Sequence, residues 1–250
     1  MKQKAARKRL DLLLVERGCA GSPQKAMAMI LAGEVQVDGR RVEKAGLPVA
    51  QDAHIEVISR TQKFVSRGGT KLQGALQDFA IRPAGCVCLD VGASNGGFTD
   101  CLLQHGAARV YAVDVNVEQL DWKLRQNPRV IPIQRNARAL RAEDLPESVD
   151  IVVIDVSFIS VRKVVSPAIA VAKPGAAFLI LIKPQFELGR EDIGPGGIVK
   201  DQKLHDQAIH SVCERAASLG LDCLGVRPSH LLGAEGNQEY FLHACKRTLE

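Results

Sequence analysis

The sequence has no apolar run long enough to cross a bilayer. Its longest, from about Ala176 to Ile182, is closed by Lys173 and Lys183, whereas a spanning helix needs ~20 apolar residues. A secretory leader is missing too, because the basic opening MKQKAARKRL runs into Asp11 and Glu16 and not into an apolar core of ~7–15 residues. A cytoplasmic location without membrane contact is the expectation. There is no C-x-x-C pair among the seven cysteines, Cys19, Cys86, Cys88, Cys101, Cys213, Cys223 and Cys245, an odd number placed mostly within apolar runs. Thiols so placed behave as small hydrophobes, so neither disulfides nor a bound metal are expected. Compositional bias is absent as well: 46% hydrophobic and 24% charged residues over 250 positions exclude disorder, collagen and coiled coil.

What the chain does have is an uneven charge. Residues 1 to 65 hold 12 Lys and Arg against 7 Asp and Glu, while residues 66 to 250 hold 21 against 21, so the whole excess of +5 lies in the first quarter. A basic module ahead of a neutral one implies that a polyanion is gripped by the first and acted on by the second.

Two short helices are predicted over residues 8 to 31. Leu10, Leu13 and Leu14 fall at helical spacing before Gly18. Ser22-Pro23 then offers a cap and a first helical residue ahead of Ala26, Met29 and Ile30, with a stop at Gly33. Val35 and Val37 alternate with polar residues up to an Asp38-Gly39 turn, and a further short strand is expected from His54 to Ile58. The phrase RLDLLLVERG, with the Ser, Ala, Ile and VDG that follow it, resembles the S4 RNA-binding domain over roughly residues 7 to 60. That resemblance implies binding of structured RNA, with Arg7, Lys8, Arg9, Arg17, Lys25, Arg40 and Arg41 as the basic candidates. The expected division is an S4-like domain over 1–60, a linker over 61–70 and a second domain over 71–250.

From Cys86 onward, runs rich in Val, Ile and Leu alternate with helical stretches: CVCLDVG, a helix to His105, RVYAVDV, a helix to Arg125, RVIPIQR, DIVVIDV, a helix to Lys173, and AAFLILIKP. Near-continuous apolar strands separated by helices mark a parallel sheet covered on both faces. After a helix at about Leu204 to Leu219, LDCLGVRPS and EYFLHACKR follow without a helical spacer. The predicted fold class is therefore α/β: a small α+β module, then a Rossmann-like domain of the class I methyltransferase type ending in an antiparallel strand.

In such folds the ligand lies beyond the carboxyl ends of the strands, at the point where strand order reverses. The loop there reads Asp90-Val91-Gly92-Ala93-Ser94-Asn95-Gly96-Gly97-Phe98-Thr99. A dinucleotide loop needs a glycine where Ser94 stands, so that the backbone can approach a pyrophosphate. This weakens a nicotinamide-dependent oxidoreductase and favours S-adenosylmethionine, which has no phosphate. Asp114, at the end of the second strand, can accept hydrogen bonds from a ribose diol in either cofactor. The candidates for holding it are Asp90, Gly92, Ser94, Gly97 and Phe98, with Asp114, Asn136 and Asp155 at later strand ends.

Asp155 ends the fourth strand, Lys183 the fifth, and Glu239 opens the last, antiparallel one, so all three are placed on one rim. Lys71, in SRGGTKL, lies ahead of the sheet, and topology alone does not locate it. The phrases VSRGGTKL, LDVGASNGGFT, VIDVSFIS, LIKPQFE, GPGGIV and GNQEYF, behind an S4-like module, resemble the TlyA family of ribosomal RNA 2′-O-methyltransferases with an FtsJ-like catalytic domain. The resemblance covers nearly the whole chain. It implies a Lys-Asp-Lys-Glu tetrad at Lys71, Asp155, Lys183 and Glu239, and a cytidine of large-subunit rRNA, in some members also of small-subunit rRNA, as target.

The chemistry agrees. A ribose 2′-OH is a poor nucleophile, so a Lys whose pKa is lowered by a neighbouring cation, here Lys183 beside Lys71, is expected to act as base or to stabilise the alkoxide. The Gly- and Pro-rich stretch from Pro184 to Asp201 is expected as a lid over the target nucleotide, with Phe186 or Phe158 as a stacking surface. A membrane-active cytolysin and a non-catalytic RNA-binding assembly factor are the competing classes. The first lacks an apolar span or an aromatic cationic helix, and the intact tetrad speaks against the second.

Overall fold

The computed structural model describes residues 7–57, 63–233 and 236–248. The chain forms two compact units, Met1–Thr61 and Gln62–Glu250.

In the first unit, strand β1 (Arg7–Arg9) runs straight into helix α1 (Leu10–Glu16), and α2 covers Pro23–Leu31. The start of α2 forms as expected. The Ser22 hydroxyl accepts from the Lys25 N–H, and Pro23 is the first helical residue, where a missing donor is harmless. Strands β2 (Val35–Val37), β3 (Arg40–Arg41), β4 (Pro48–Ala50) and β5 (Ile55–Val57) complete the unit. Ile58, the expected end of the last strand, lies outside the described residues. Asp38 and Gly39 both take positive φ between β2 and β3, which this pair tolerates in a tight hairpin. β3, β2 and β5 form one sheet, and β1 pairs antiparallel with β4. Three basic residues carry no apolar alternation, so β1 is not predictable from pattern. Leu10, Leu13, Leu14, Ala26, Ile30, Val35 and Val49 fill the core between these elements.

The second unit begins earlier than the expected linker allows. Phe64 is buried in its core, and α3 spans Arg67–Asp78. Of the expected linker, 61 and 62 lie outside the described residues, and the rest belongs to the unit. Then follow β6 (Val87–Val91), α4 (Gly97–Gln104), β7 (Arg109–Asp114), α5 (Trp122–Arg125), β8 (Val130–Gln134), β9 (Val149–Ile154), α6 (Val165–Ala170), β10 (Ala172–Ile182), α7 (Pro184–Glu187), α8 (Gln202–Ser218), β11 (Leu221–Pro228) and β12 (Tyr240–Lys246). The sheet order is β11-β12-β10-β9-β6-β7-β8. β6 to β10 are parallel, and β12 is antiparallel to both neighbours.

Alternate residues of the central strands face opposite cores, as a period of two requires. Leu89, Val91, Val152, Ile154, Phe178 and Ile180 pack towards Val165, Ala168, Val212 and Ala216. Cys88, Val110, Ile151, Val153, Leu179 and Leu181 pack towards Leu72, Leu76, Cys101 and Leu102. Two covered faces explain the unbroken apolar runs. At ~25 cal/mol per Å² of apolar area removed from water, this burial is the main source of stability.

Three expectations need correction. The helix expected to reach Lys173 stops at Ala170, because β10 already begins at Ala172, with a register shift before Ala177. The helix before Arg125 is a single turn capped by Asp121, preceded by a 3-10 turn at Val117–Gln119. Of the cysteines, only Cys88 and Cys101 are buried; Cys223 is exposed and the other four are half-buried. Burial pushes the Cys101 thiol up to about 12, which makes it inert.

Candidate active site

Strand order reverses at β6, whose neighbours are β7 on one side and β9 on the other, and the loop after it opens the ligand crevice. Gly92 has φ +89°, and a Cβ placed on it would stand 2.2 Å from the Asp155 carbonyl oxygen. Gly97 is equally closed, since its Cβ would meet Ser66 Oγ at 2.1 Å and the Gly69 nitrogen at 2.9 Å. The loop is glycine-rich because backbone from β9 and α3 presses on it. Gly92→Ala is therefore expected to destabilise the unit by ~1–3 kcal/mol, the usual range for a strained backbone conformation. A lowered thermal midpoint checks it; an unchanged one would contradict the close approach.

Two adjoining cavities open at this rim. One, of about 560 Å³, is lined by Gly92, Ser94, Asp114, Asn136, Arg138 and Asp155 among others. The other, of about 390 Å³, is lined by Gly92, Gly97, Phe98, Arg67 and all four of Lys71, Asp155, Lys183 and Glu239. Asp114 accepts from the backbone N–H of Ser94 (2.9 Å) and of Asn116 (3.0 Å). It thereby ties the β6 loop to the end of β7 and keeps acceptor capacity for a diol. Asn136 caps the turn after β8 by accepting from the Arg138 N–H while remaining on the cavity wall.

Asp90 is placed differently. It is fully buried beneath the loop, accepts from the Thr99 hydroxyl at 2.7 Å, and lines neither cavity. Its second oxygen has no partner. Burial pushes this carboxyl up to about 7; the Thr99 hydrogen bond opposes the shift and the Asp155 charge adds to it.

The structure brings the four rim residues together. Lys183 Nζ lies 2.6 Å from Asp155 Oδ1 and donates to Ser157 Oγ at 2.8 Å, while Lys71 Nζ donates to Glu239 Oε2 at 2.5 Å. Glu239 and Lys183 are buried. The short Lys183–Asp155 approach is an ion pair without hydrogen-bond alignment, so Asp155 Oδ1 still lacks a directed donor. The two lysines thus stand in two ion pairs, Lys183 with Asp155 and Lys71 with Glu239. Lys71 reaches the rim because α3 docks against α4 and the β6 loop, which topology does not predict. Ser157, in VIDVSFIS, was open to discovery only through its contact with Lys183.

The aromatic pair sits at the mouth. Phe158 is 86% exposed with φ +66°, and its ring centroid is 5.5 Å from that of Phe186 at a 50° tilt. Neither ring is core packing. The stretch after Lys183, expected as a lid, is tied down: Glu187 is buried and accepts from Ser160 Oγ (2.6 Å) and the Val161 N–H (2.7 Å), and Asn237 bonds Gly197 and Val199.

In the first unit the expected basic residues stand in different surroundings. Arg17 donates to the carbonyls of Ala53 and Gln51, and Arg41 to that of Ala32. Arg9 holds the buried Asp11 through two hydrogen bonds, which keep that carboxyl below its ordinary range, and Lys8 pairs with Glu16. Arg7, Lys25 and Arg40 are exposed.

A parallel sheet closed by one reversed strand, with a glycine loop at its switch point and nucleoside-sized space beside it, defines a class I methyltransferase. Comparison with known proteins agrees: the profile of the FtsJ-like methyltransferases matches residues 64–246, and that of the S4 domain matches residues 8–55. The chain belongs to the TlyA family of S4-domain, FtsJ-like methyltransferases. It is 46% identical over 240 residues to the 16S/23S rRNA (cytidine-2′-O)-methyltransferase TlyA of Mycobacterium tuberculosis, covering 95% of this chain and 90% of that protein. It is 40% identical over 238 residues to Hemolysin A of Brachyspira hyodysenteriae, covering 94% and 98%. A solved Streptococcus thermophilus protein with a hemolysin name shares 35% identity at a TM-score of 0.76, over 98% of this chain and 90% of that one. Among the described residues no helix is long and apolar enough to cross a membrane.

Proposed function

We propose that this enzyme transfers a methyl group from S-adenosylmethionine to the ribose 2′-oxygen of a cytidine in ribosomal RNA, in the cytoplasm where ribosomes are made. The observation that carries this reading is the convergence of Lys71, Asp155, Lys183 and Glu239 on one cavity beside the β6 loop. A phosphate-free cofactor suits the loop, whose φ +47° position is Ser94 and not glycine. Gly92, Ser94, Gly97 and Phe98 would line its amino-acid and ribose side, Asp114 would take the diol, and Asn136 would meet the base. Asp155, with Gly92, Ser94, Ser157 and Phe158, lines both cavities. When bound, the cofactor supplies an electrophilic methyl carbon on a sulfonium that departs as a neutral thioether.

The protein's own groups deal with the proton and the alignment. Lys183, as an ammonium, meets the 2′-hydroxyl and stabilises the negative charge that grows on oxygen, while the hydroxyl proton leaves to solvent water as the bond to the methyl group forms. Asp155 and Ser157 fix the direction of its ammonium group, and Glu239 does the same for Lys71. With a good leaving group supplied by the bound cofactor, holding the 2′-hydroxyl firmly beside the cofactor pocket would supply much of the rest. Phe158 and Phe186 offer a stacking face to an extruded base. The S4 unit, through Arg7, Lys25 and Arg40, holds neighbouring RNA.

Asp114→Ala should weaken cofactor affinity by ~1–3 kcal/mol, since a charged acceptor for two hydroxyls is lost. Calorimetry showing an unchanged affinity would remove Asp114 from the site. The reading as a whole is tested by incubating the protein with methyl-labelled S-adenosylmethionine and ribosomal subunits, then digesting the RNA to nucleosides. Label in 2′-O-methylcytidine supports it, and label confined to bases, or none, overturns it.

A further inference from the structure

The charges of the catalytic cavity do not cancel. Each tetrad lysine faces its own carboxylate at 2.5–2.6 Å. Arg67 lines the same cavity, is exposed, and makes no ion pair or side-chain hydrogen bond among the described residues. It is the first residue of α3, and Lys71 is the fifth. Residues four apart lie on one helix face with Cβ atoms ~5–6 Å apart, so the Arg67 guanidinium is within reach of whatever the lysines hold.

A ribose 2′-hydroxyl never comes alone in a polynucleotide. The adjacent carbon carries the 3′-oxygen and its phosphodiester, so placing the 2′-oxygen at Lys183 brings one negative charge into the cavity with it. Neither paired lysine is free to neutralise that charge. We propose that Arg67 binds the phosphodiester on the 3′ side of the target ribose, a substrate contact that none of the tetrad supplies. A guanidinium suits this task, since its planar fork meets two phosphate oxygens at once. The contact fixes the ribose from the side opposite the base and makes an internal nucleotide the proper substrate. A terminal nucleotide without a 3′-phosphate is a poor one. The proposal rests on the reading of the chain as an RNA 2′-O-methyltransferase.

The test uses the full-length protein and an RNA hairpin bearing the mapped target cytidine, made with either the natural 3′-phosphodiester or a neutral formacetal in its place. Wild-type kcat/KM should fall ~10–100-fold with the formacetal, the range for losing a hydrogen-bonded charge partner. Arg67→Ala should lose a similar factor on natural RNA and nothing further on the formacetal. Arg67→Lys should regain part of the loss, since an ammonium keeps the charge but not the fork. Affinity for S-adenosylmethionine should be unchanged in both variants, which separates this role from a structural one. Wild-type kcat/KM in Arg67→Ala, or losses that multiply when variant and formacetal are combined, would overturn the assignment. If the wild-type protein methylates no RNA, the underlying reading falls and takes the proposal with it.

Discussion

Replacing Lys183 by Ala is expected to lower methyl transfer by ~10²–10³-fold, the usual cost of removing one donor aimed at a developing oxyanion, while affinity for S-adenosylmethionine barely changes. The geometry gives the reason. An ammonium group has three donors; one goes to Ser157 at 2.8 Å, the ion pair with Asp155 at 2.6 Å is not aligned as a hydrogen bond, and donor capacity is left to the cavity. The nucleoside pocket is walled by the β6 loop, the end of β7, the turn after β8 and residues 155–159 after β9, and does not include Lys183 itself. Stopped-flow or endpoint methylation with a parallel binding titration separates the two effects. Turnover near that of the wild type would remove Lys183 from the reaction, and loss of cofactor binding alone would reassign it to the pocket.

Removal of the first unit is expected to abolish most RNA affinity without abolishing cofactor binding. The excess charge of +5 lies wholly in residues 1 to 65, and Gln62–Glu250 is a compact unit with two cores of its own. The cut must leave Lys63 and Phe64 in place, because Phe64 is buried against α3 and closes over Gly69. Each phosphate neutralised contributes ~0.7–0.9 to the slope of log affinity against log salt. The shortened protein should thus bind rRNA more weakly and with a flatter slope. Equal affinity and equal slope would move the RNA anchor to the second unit, where Arg138 and Arg141 join Arg67 as exposed cations and Arg135 is paired with Asp144.

Most of the second unit was legible because both sheet faces are buried. Unbroken Val, Ile and Leu runs announce parallel strands, and strand ends then place Asp155, Lys183 and Glu239 on one rim without side-chain coordinates. Lys71 was legible only through family likeness, since its arrival depends on how α3 packs. The limits have physical causes. β1 is three basic residues whose pairing with β4 leaves no periodic trace. Arg9, Arg17 and Arg41 look like phosphate ligands in sequence, and in the structure each, though exposed, also holds a buried carboxylate or a backbone carbonyl. A count of positive charges cannot distinguish the two uses. Asp90 lies next to the last residue of β6 while Asp114 ends β7, and burial under the loop makes Asp90 a partner of Thr99. Arg67 in VSRGGTKL and Ser157 in VIDVSFIS are ordinary surface residue types in sequence, and only the cavity they share with the tetrad sets them apart.

The most direct test of the account is a map of ribose methylation on rRNA from cells that hold this protein, cells that lack it, and cells that hold only Lys183→Ala. The account predicts a 2′-O-methylcytidine present in the first and missing from the other two. Identical maps in all three, or a site restored by Lys183→Ala, would contradict it.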